Sequence, residues 1–297
     1  MKSIQIISPS GAVENDYIDR AAFRLKSWGF RVSVGRNAYG RFGRFAGSDQ
    51  ERIDDLIAAL TNPDVDIVLC ARGGYGLQRI IDKLPDIRHK QHKPTLIGFS
   101  DITELHQWCC LQGVPSIHGL MCKHLAELPD ESEALLMWRQ ALNGQSLRYQ
   151  IPSHPLDRKG QSDGVLIGGN LSVLYGLQAT RFGLLPVIRK FHRQGQNVIL
   201  MIEDLCERHY HIDRMMQNLR LSGVMSEING LIVGQFSDID VDEGMLCSVE
   251  ETILQAAEKT NYPIMMNFPV GHVDDNRPLW LGRFSSLQVG SDNVLIN

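Results

Sequence analysis

Residues 94–110 read PTLIGFSDITELHQWCC, which predicts a buried strand followed by a helix, with Ser100 at the junction. Serine at a helix start is most often an N-cap, whose hydroxyl accepts a hydrogen bond from an unpaired backbone N–H. The alternative is a nucleophile on a sharp strand-to-helix turn at the edge of a sheet. Gly98 supplies the first glycine of the G-x-S-x-G pattern of such turns, but the second glycine is missing. The turn alone leaves both interpretations open.

Strand and helix patterns alternate around this turn. IQIISPS at 4–10 and VDIVLCARGG at 65–74 are apolar runs that end in small residues. Helical patterns accompany them at 17–30, at 48–61 with the capping-box pair Ser48 and Glu51, and at 77–84. Apolar strands that alternate with helices predict an α/β domain with a parallel sheet covered on both faces. Ligands bind outside the carboxyl ends of such strands, where Gly73, Gly74 and Ser100 are expected.

The overall composition excludes several classes of protein. The 297 residues, 43% of them hydrophobic, are enough for two cores. A net charge of -4 leaves no broad basic face, so no nucleic-acid partner is expected. The sequence shows neither a signal-peptide pattern nor about 18 consecutive apolar residues, which predicts a cytoplasmic protein without a membrane partner. The six cysteines lack C-x-x-C spacing and are expected to be reduced, packed thiols.

The pattern changes near the middle of the chain. Residues 1–135 are predicted to form the N-terminal α/β domain that carries Ser100, and the polar stretch 136–160 a linker. Residues 161–297 are predicted to form a second domain. It begins with a strand, a glycine turn and a helix, and it ends in short runs at 278–290 and 293–297 that predict antiparallel strands.

A serine nucleophile needs a base, and the base needs a group that orients it. His272 follows a Pro-Val-Gly turn at the end of an apolar strand, where a catalytic role and a local hydrogen-bonding role are equally ordinary. Glu203 follows a largely apolar strand, and burial of its carboxylate is costly without a partner. It is either a surface acid or the group that orients a histidine. A chain order of serine, glutamate, histidine would match α/β-hydrolases.

Glycine turns at the predicted sheet edge supply backbone donors. An oxyanion hole would use the backbone N–H of Asp101 and one from the Gly73-Gly74 loop, where missing side chains allow close approach. The turn Gly168-Gly169-Asn170 also suits an anionic ligand, although Asn170 has the alternative role of a helix cap.

No pattern predicts a cofactor or a metal. The glycine patterns of dinucleotide and phosphate-loop sites are absent from the sequence. The nearest candidate metal ligands, His209 and His211, are interpreted as exposed loop histidines after a strand.

Seven stretches, in order along the chain, together resemble the LD-carboxypeptidase (muramoyltetrapeptide carboxypeptidase) family of serine peptidases. They are ISPSG at 7–11, RFAGSDQERIDDL at 44–56, ARGGYG at 71–76, IGFSD at 97–101, IGGNL at 167–171, IEDLCE at 202–207 and PVGH at 269–272. The resemblance therefore extends over nearly the whole chain.

This resemblance implies a triad of Ser100, Glu203 and His272, with the backbone of Gly74 and Asp101 as oxyanion donors. It also implies an N-terminal domain like those of flavodoxins or glutamine amidotransferases and a smaller, β-rich C-terminal domain. The serine would come from the first domain and the other two residues from the second, with the active site near the domain junction. Proteins of this family are typically homodimers.

The resemblance further implies a substrate. Family members remove the terminal D-alanine from cytoplasmic murein tetrapeptides by cutting after an L-configured centre of diaminopimelate. The alternatives are an immunity-type amidase of the same family, which hydrolyses a peptide-nucleotide antibiotic, and a non-catalytic binding protein on the same scaffold. A carboxypeptidase must also hold a free terminal carboxylate. The predicted substrate-binding residues are Arg72, Gly73, Gly169 and Asn170. Arg72 is the cation nearest in sequence to the Gly73-Gly74 turn, and the other three residues lie on the two glycine turns.

Overall fold

The computed structural model describes residues 1–240 and 244–297, and the chain divides into two compact units of nearly equal size. The first unit comprises 1–142 and 277–282, and the second comprises 143–276 and 283–297. A short segment near the C-terminus therefore belongs to the first unit. The stretch 136–160, expected to be a linker, includes the end of a helix and a complete strand.

The secondary structure of the described residues follows the alternation expected from the sequence. The strands are β1 (Ser3–Ile7), β2 (Arg31–Val34), β3 (Ile67–Cys70), β4 (Thr95–Gly98), β5 (Ser116–His118), β6 (Arg148–Pro152), β7 (Gly160–Asn170), β8 (Val198–Leu205), β9 (Gly230–Ser237), β10 (Ile264–Met265), β11 (Leu279–Leu281), β12 (Arg283–Val289) and β13 (Asp292–Ile296). The α-helices are α1 (Asn15–Ser27), α2 (Asp49–Thr61), α3 (Thr103–Gln112), α4 (Cys122–Glu127), α5 (Glu133–Leu142), α6 (Leu171–Gly176), α7 (Leu184–His192), α8 (His209–Leu221), α9 (Val224–Glu227) and α10 (Val249–Ala256).

The first unit is built on a six-stranded sheet in the order β11-β5-β4-β3-β1-β2. Its first five strands along the chain are parallel and have the 2-1-3-4-5 order of flavodoxin-like folds, and β11 adds an antiparallel edge. All four residues of β3 are buried, as expected for a strand covered on both faces. The predicted α/β class with a parallel-sheet N-terminal domain is confirmed, but the second unit is not smaller than the first, as the resemblance had implied. The order reverses between β1 and β3, so this is where the fold leaves a crevice for a ligand.

Two helix predictions in this unit have different outcomes. The capping box at Ser48 and Glu51 is present at the start of α2, with both reciprocal hydrogen bonds formed. The helix predicted over 77–84 is wrong, because this segment forms two short 3₁₀ turns, Leu77–Arg79 and Ile81–Lys83. Ile80 separates them with a φ of -130°, outside the helical range. Leu77, Ile80 and Ile81 are all buried, as their i, i+3, i+4 spacing would also require on one helix face, so this spacing could not reveal the break. The Leu77 backbone N–H is instead held by the Asp101 side chain.

The second unit contains a seven-stranded sheet in the order β10-β9-β8-β7-β12-β13-β6. Strands β7 to β10 are parallel, whereas β12, β13 and β6 join them in antiparallel pairs. The antiparallel strands predicted at the C-terminus are thus confirmed. Among the residues that the structure describes, no helix has the length and apolarity that a membrane span requires.

Candidate active site

Ser100 lies on a tight turn directly after β4. Phe99 is extended and buried, and Ser100 then takes a φ of 67°, in the left-handed region that residues with a side chain rarely adopt. A 3₁₀ turn over Ser100–Ile102 follows, and α3 begins at Thr103. Backbone strain of this kind costs about 1–3 kcal/mol and is retained mainly at functional positions. The geometry is that of a nucleophile elbow.

The N-cap interpretation of Ser100 is not supported. A 3₁₀ turn separates Ser100 from α3, so the N-cap position is occupied by Ile102, whose apolar side chain cannot accept a hydrogen bond. Sequence spacing could not show this additional turn. The Ser100 side chain is partly exposed and is not used to cap α3.

Gly73 packs directly against the elbow. A Cβ placed on Gly73 would lie 2.7 Å from Ser100 Cβ and 2.9 Å from Phe99 O, so the loop after β3 approaches the serine only because a side chain is missing. Gly74 has a φ of 107°. Within residues 1–240 and 244–297, the backbone N–H groups of Gly74 and Asp101 donate no hydrogen bond to the protein. Two backbone N–H groups that are available to a ligand therefore lie on the two loops that meet at Ser100.

The Asp101 side chain ties together three loops at this edge of the sheet. Its Oδ2 accepts hydrogen bonds from Ser10 Oγ at 2.5 Å and from the Leu77 backbone N–H at 3.1 Å. Burial raises the pKa of Asp101, and these two hydrogen bonds oppose that shift. Sequence reasoning considered only the backbone of Asp101. The signal that it missed was Ser10, in the Ser-Pro-Ser-Gly loop after β1.

Buried ionisable side chains lie on α3 and at the end of β5, in the core of the first unit. Burial and the neighbouring Asp101 carboxylate raise the pKa of Glu104 to about 8. His106 Nε2 is 2.9 Å from Gly98 O, and burial lowers the pKa of His106 to about 3. His118 is also fully buried, with its ring 5.5 Å from that of Phe99. These histidines belong to the core of the first unit and are poorly suited to act as a base for a partly exposed serine.

In the second unit, the side chains of Glu203 and His272 are within hydrogen-bonding distance of each other. His272 Nδ1 lies 2.9 Å from Glu203 Oε2, although the two residues are 69 positions apart in sequence. Glu203 is completely buried, whereas 17% of the His272 side chain is exposed. An Nδ1–H that donates to the carboxylate fixes the tautomer and leaves Nε2 as the proton acceptor. This geometry favours the orienting role for Glu203 over that of a surface acid.

The local backbone explains why Glu203 meets His272. Pairing between β8 and β9 shifts register at Glu203, and such a bulge redirects a side chain from its regular position. Gly234 on β9 faces it, and a Cβ there would lie 2.6 Å from Val270 O and 3.1 Å from Glu203 Cβ. Gly271, with a φ of 134°, donates its N–H to Asn276 Oδ1 at 3.0 Å. Two glycines thus allow the turn before His272 to close over the carboxylate.

Asn170 is buried at the end of β7 and caps α6. Its Oδ1 accepts from the Val173 N–H at 3.2 Å, and its Nδ2 donates to Asp204 Oδ1 at 2.9 Å. Burial and, next, the adjacent Glu203 carboxylate raise the pKa of Asp204 to about 7. Gly169, just before Asn170, has a φ of 140°. The capping role considered for Asn170 is present, together with a link to the residue next to Glu203.

The histidines considered as metal ligands have other partners. His209 and His211 begin α8 rather than lying in an exposed loop. His209 is buried with its Nε2 2.9 Å from Thr252 Oγ1, and His211 Nδ1 is 3.1 Å from Glu207 Oε2. Across the described part of the chain, no three His, Cys, Asp or Glu side chains converge in a group able to hold a metal ion.

Serine hydrolases use the two features described above. One is a strained serine at the carboxyl edge of a parallel sheet, and the other is a buried carboxylate that orients a partly exposed imidazole. Comparison with known proteins identifies the class more narrowly. The N-terminal domain of LD-carboxypeptidases matches residues 4–119, and their C-terminal domain matches residues 163–287. This chain belongs to the LD-carboxypeptidase family and is a serine peptidase.

Individual relatives agree with this assignment. A putative carboxypeptidase of Synechocystis sp. is 33% identical over 96% of this chain and 90% of its own length. The crystal structure of a muramoyltetrapeptide carboxypeptidase from Oxalobacter formigenes has a TM-score of 0.85 and 26% identity, with 99% of this chain and 98% of that chain covered. The microcin C7 self-immunity protein MccF shares the fold, with a TM-score of 0.83 and 18% identity over 100% of this chain and 96% of that chain.

Proposed function

We propose that this protein removes the terminal D-alanine from murein tetrapeptides, with Ser100 as nucleophile, His272 as general base and Glu203 as the acid that orients it. The observation that carries the proposal is the Glu203–His272 pair, a buried carboxylate 2.9 Å from an accessible imidazole. Membership of the LD-carboxypeptidase family and the similarity to a muramoyltetrapeptide carboxypeptidase support the choice of substrate.

The proposed reaction follows from the chemistry of these groups. His272 Nε2 takes the proton of Ser100 Oγ while this oxygen attacks the carbonyl carbon before D-alanine. The imidazolium, stabilised by Glu203, then protonates the leaving amine, and the C–N bond breaks to give an acyl-enzyme. Water, deprotonated by His272, hydrolyses the ester and restores Ser100. The products are a tripeptide and free D-alanine.

The oxyanion of each tetrahedral intermediate would be held by the backbone N–H groups of Gly74 and Asp101. Their lack of partners within the described residues and the close packing of Gly73 on Ser100 support this assignment. Donors that are already oriented stabilise the developing charge without reorganisation, and one such donor is typically worth about 2.7–4 kcal/mol.

Four residues are proposed to bind substrate: Arg72, Gly73, Gly169 and Asn170. Arg72 is exposed, and its Nη1 donates to Ala12 O at 2.6 Å, which fixes the guanidinium beside the glycine loop. The buried amide of Asn170 is already used by α6 and Asp204, so it would act by holding the turn at Gly169. These turns would position the end of the peptide and its carboxylate.

The decisive experiment is mass spectrometry of a digest of L-Ala-γ-D-Glu-meso-diaminopimelyl-D-Ala, with Ser100→Ala as the inactive control. We expect the loss of one alanine from the C-terminus. A tetrapeptide that remains intact under all conditions would overturn the proposed substrate.

The immunity-type amidase is the second candidate, and the fold shared with the self-immunity protein is the observation behind it. Assaying the tetrapeptide beside an aminoacyl sulfamoyl nucleoside would separate the two activities. A non-catalytic binding protein would bind one of these ligands and convert neither.

Two further properties are proposed from the family resemblance: a cytoplasmic location and a homodimeric state. Cell fractionation and light scattering on the purified protein test them. A stable monomer at working concentrations would contradict the second.

A further inference from the structure

A cleft of about 270 Å³ opens in the first unit beside the loops that follow β1, β2 and β3. Its lining includes Arg41, Arg44, Arg72, Tyr75 and the glycines Gly11 and Gly74. We call it the arginine cleft. Its position is the reversal point of the sheet between β1 and β3, where open α/β sheets bind ligands.

Backbone hydrogen bonds hold the three loops of the arginine cleft together. The Gly11 N–H donates to Gly73 O at 2.9 Å, and the Ala12 N–H donates to Arg44 O at 3.0 Å. The guanidinium of Arg72 donates to Ala12 O. The arginines therefore project from a cross-linked set of loops, which reduces the entropy lost when a ligand binds.

The charge of the arginine cleft is only partly balanced. Arg41 pairs with Glu14 at 2.9 Å. In the described parts of the chain, no carboxylate lies within ion-pair distance of Arg44 or Arg72, and the Arg44 guanidinium lies 6.0 Å from the centre of the Tyr75 ring. Two guanidinium groups thus face a concave surface without a counter-charge. Guanidinium matches a carboxylate through two parallel N–H···O bonds.

The arginine cleft adjoins the nucleophile. Gly74 lines it, and Gly73, one residue earlier, is the residue packed on Ser100. Consecutive Cα atoms in a peptide are about 3.8 Å apart. The carboxylate of a C-terminal residue consequently lies within one residue of the carbonyl that the serine attacks, and the arginine cleft is the adjacent cationic surface.

We propose that the arginine cleft binds a free carboxylate of the peptide substrate and that Arg44 acts with Arg72 to select it. This inference rests on the proposed function and extends it by naming the group that distinguishes a carboxypeptidase from a general amidase. Arg44 is a specificity residue that the sequence did not indicate, because it lies in a glycine- and arginine-rich loop far along the chain from Ser100.

The test compares wild type, Arg44→Gln and Arg72→Gln on three substrates. These are the tetrapeptide, the same peptide amidated at its terminal D-alanine, and the peptide amidated at the side-chain carboxylate of its third residue. We expect each variant to lower kcat/KM for the free acid about 10- to 100-fold, mainly through KM. One of the two amidated peptides lacks the carboxylate that the arginine cleft binds, and the variants should not lower kcat/KM for that peptide below the wild-type value. The peptide that shows this pattern identifies the bound carboxylate.

A binding measurement separates this inference from the proposed function. Calorimetry with Ser100→Ala and N-acetyl-D-alanine, against N-acetyl-D-alanine amide, reports anion binding without catalysis. If the tetrapeptide is never cleaved but N-acetyl-D-alanine binding still depends on Arg44 and Arg72, the proposed function fails and the anion site stands.

Arg88→Gln is the matched control, since Arg88 is an exposed arginine of the same unit paired with Asp86 at 2.5 Å. It should leave binding and kinetics unchanged. The inference is overturned if Arg44→Gln behaves like Arg88→Gln, or if it reduces cleavage of free-acid and amidated peptides equally. Equal losses with a lower melting temperature would show that Arg44 only stabilises the loop.

Discussion

Glu203 Oε2 and His272 Nδ1 lie 2.9 Å apart, and the carboxylate is fully buried while the imidazole remains partly exposed. A buried carboxylate is costly unless a partner compensates it. The pair is therefore a stable unit in which one end is fixed by the core and the other end faces outward.

The first prediction concerns this pair and Ser100. Ser100→Ala, Glu203→Gln and His272→Ala should each lower kcat about 10³- to 10⁶-fold, and double variants should lose little more, because the three groups act as one unit. Steady-state kinetics on the tetrapeptide measure this. His211→Ala, which removes another histidine paired with a carboxylate in the same unit, should retain activity. Near-normal turnover in His272→Ala would remove the proposed base.

Gly73→Ala should abolish most of the activity. A Cβ on Gly73 would be only 2.7 Å from Ser100 Cβ, so the elbow or the glycine loop must shift. We expect kcat to fall at least about 100-fold, in line with displacement of an oxyanion donor. Gly290→Ala is the control, since a Cβ there would meet only Asp292 O at 3.9 Å. Unchanged kinetics in Gly73→Ala would show that this approach does not matter for catalysis.

Ser10→Ala should both destabilise the first unit and reduce turnover, because it removes one of two hydrogen bonds to the Asp101 carboxylate. A hydrogen bond to a charged group is worth about 1.5–3 kcal/mol. The melting temperature, measured by differential scanning calorimetry, and kcat should fall together. The losses caused by Ser10→Ala and Asp101→Asn should not add in the double variant. Ser8→Ala removes only a bond to the Ala38 carbonyl and serves as the control. Strictly additive effects would contradict a shared role.

Stability should depend on the protonation of Glu104. Burial raises its folded-state pKa from 4.5 to about 8, so the folded protein retains a proton that the unfolded chain releases. The stabilisation linked to this proton is complete below about pH 4.5 and is lost as the pH rises through about 8, by at most about 1.4 kcal/mol per pH unit. Glu104→Gln should therefore flatten the fall in melting temperature over this range, whereas the exposed control Glu131→Gln should not. Parallel curves for wild type and Glu104→Gln would exclude this linkage.

Asn170→Ala distinguishes a cap from a substrate-positioning residue. Loss of the cap alone should cost about 1 kcal/mol and leave kinetics nearly unchanged. We expect kcat/KM to fall as well, because Asn170 also binds Asp204, which adjoins Glu203. Melting temperature and kcat/KM are measured on the same sample, beside Ser248→Ala, which removes the cap of α10 in the same unit. Equal behaviour of the two variants would leave Asn170 with a structural role only.

Much of the fold could be predicted from local sequence. The apolar run in β3 indicated a strand buried on both faces, and the spacing of Ser48 and Glu51 indicated where α2 begins. These features depend on residues only a few positions apart, whose side chains act on the same stretch of backbone. The segment 77–84 departs from this rule: its buried apolar residues have the spacing of one helix face, yet it forms two 3₁₀ turns, and the Leu77 N–H is bound by Asp101, 24 positions away.

By itself, the sequence determined the alternation of strands and helices, the position of Ser100 after a buried strand and the resemblance to a peptidase family. Only the tertiary structure decided which side chains meet. Asp101 joins Ser10 across 91 positions, and Glu203 reaches His272 through a bulge that no residue pattern marks. The physical reason is that a buried carboxylate forms hydrogen bonds with the donors that the packed strands and loops place within about 3 Å. How far apart these residues are in the sequence does not affect this distance.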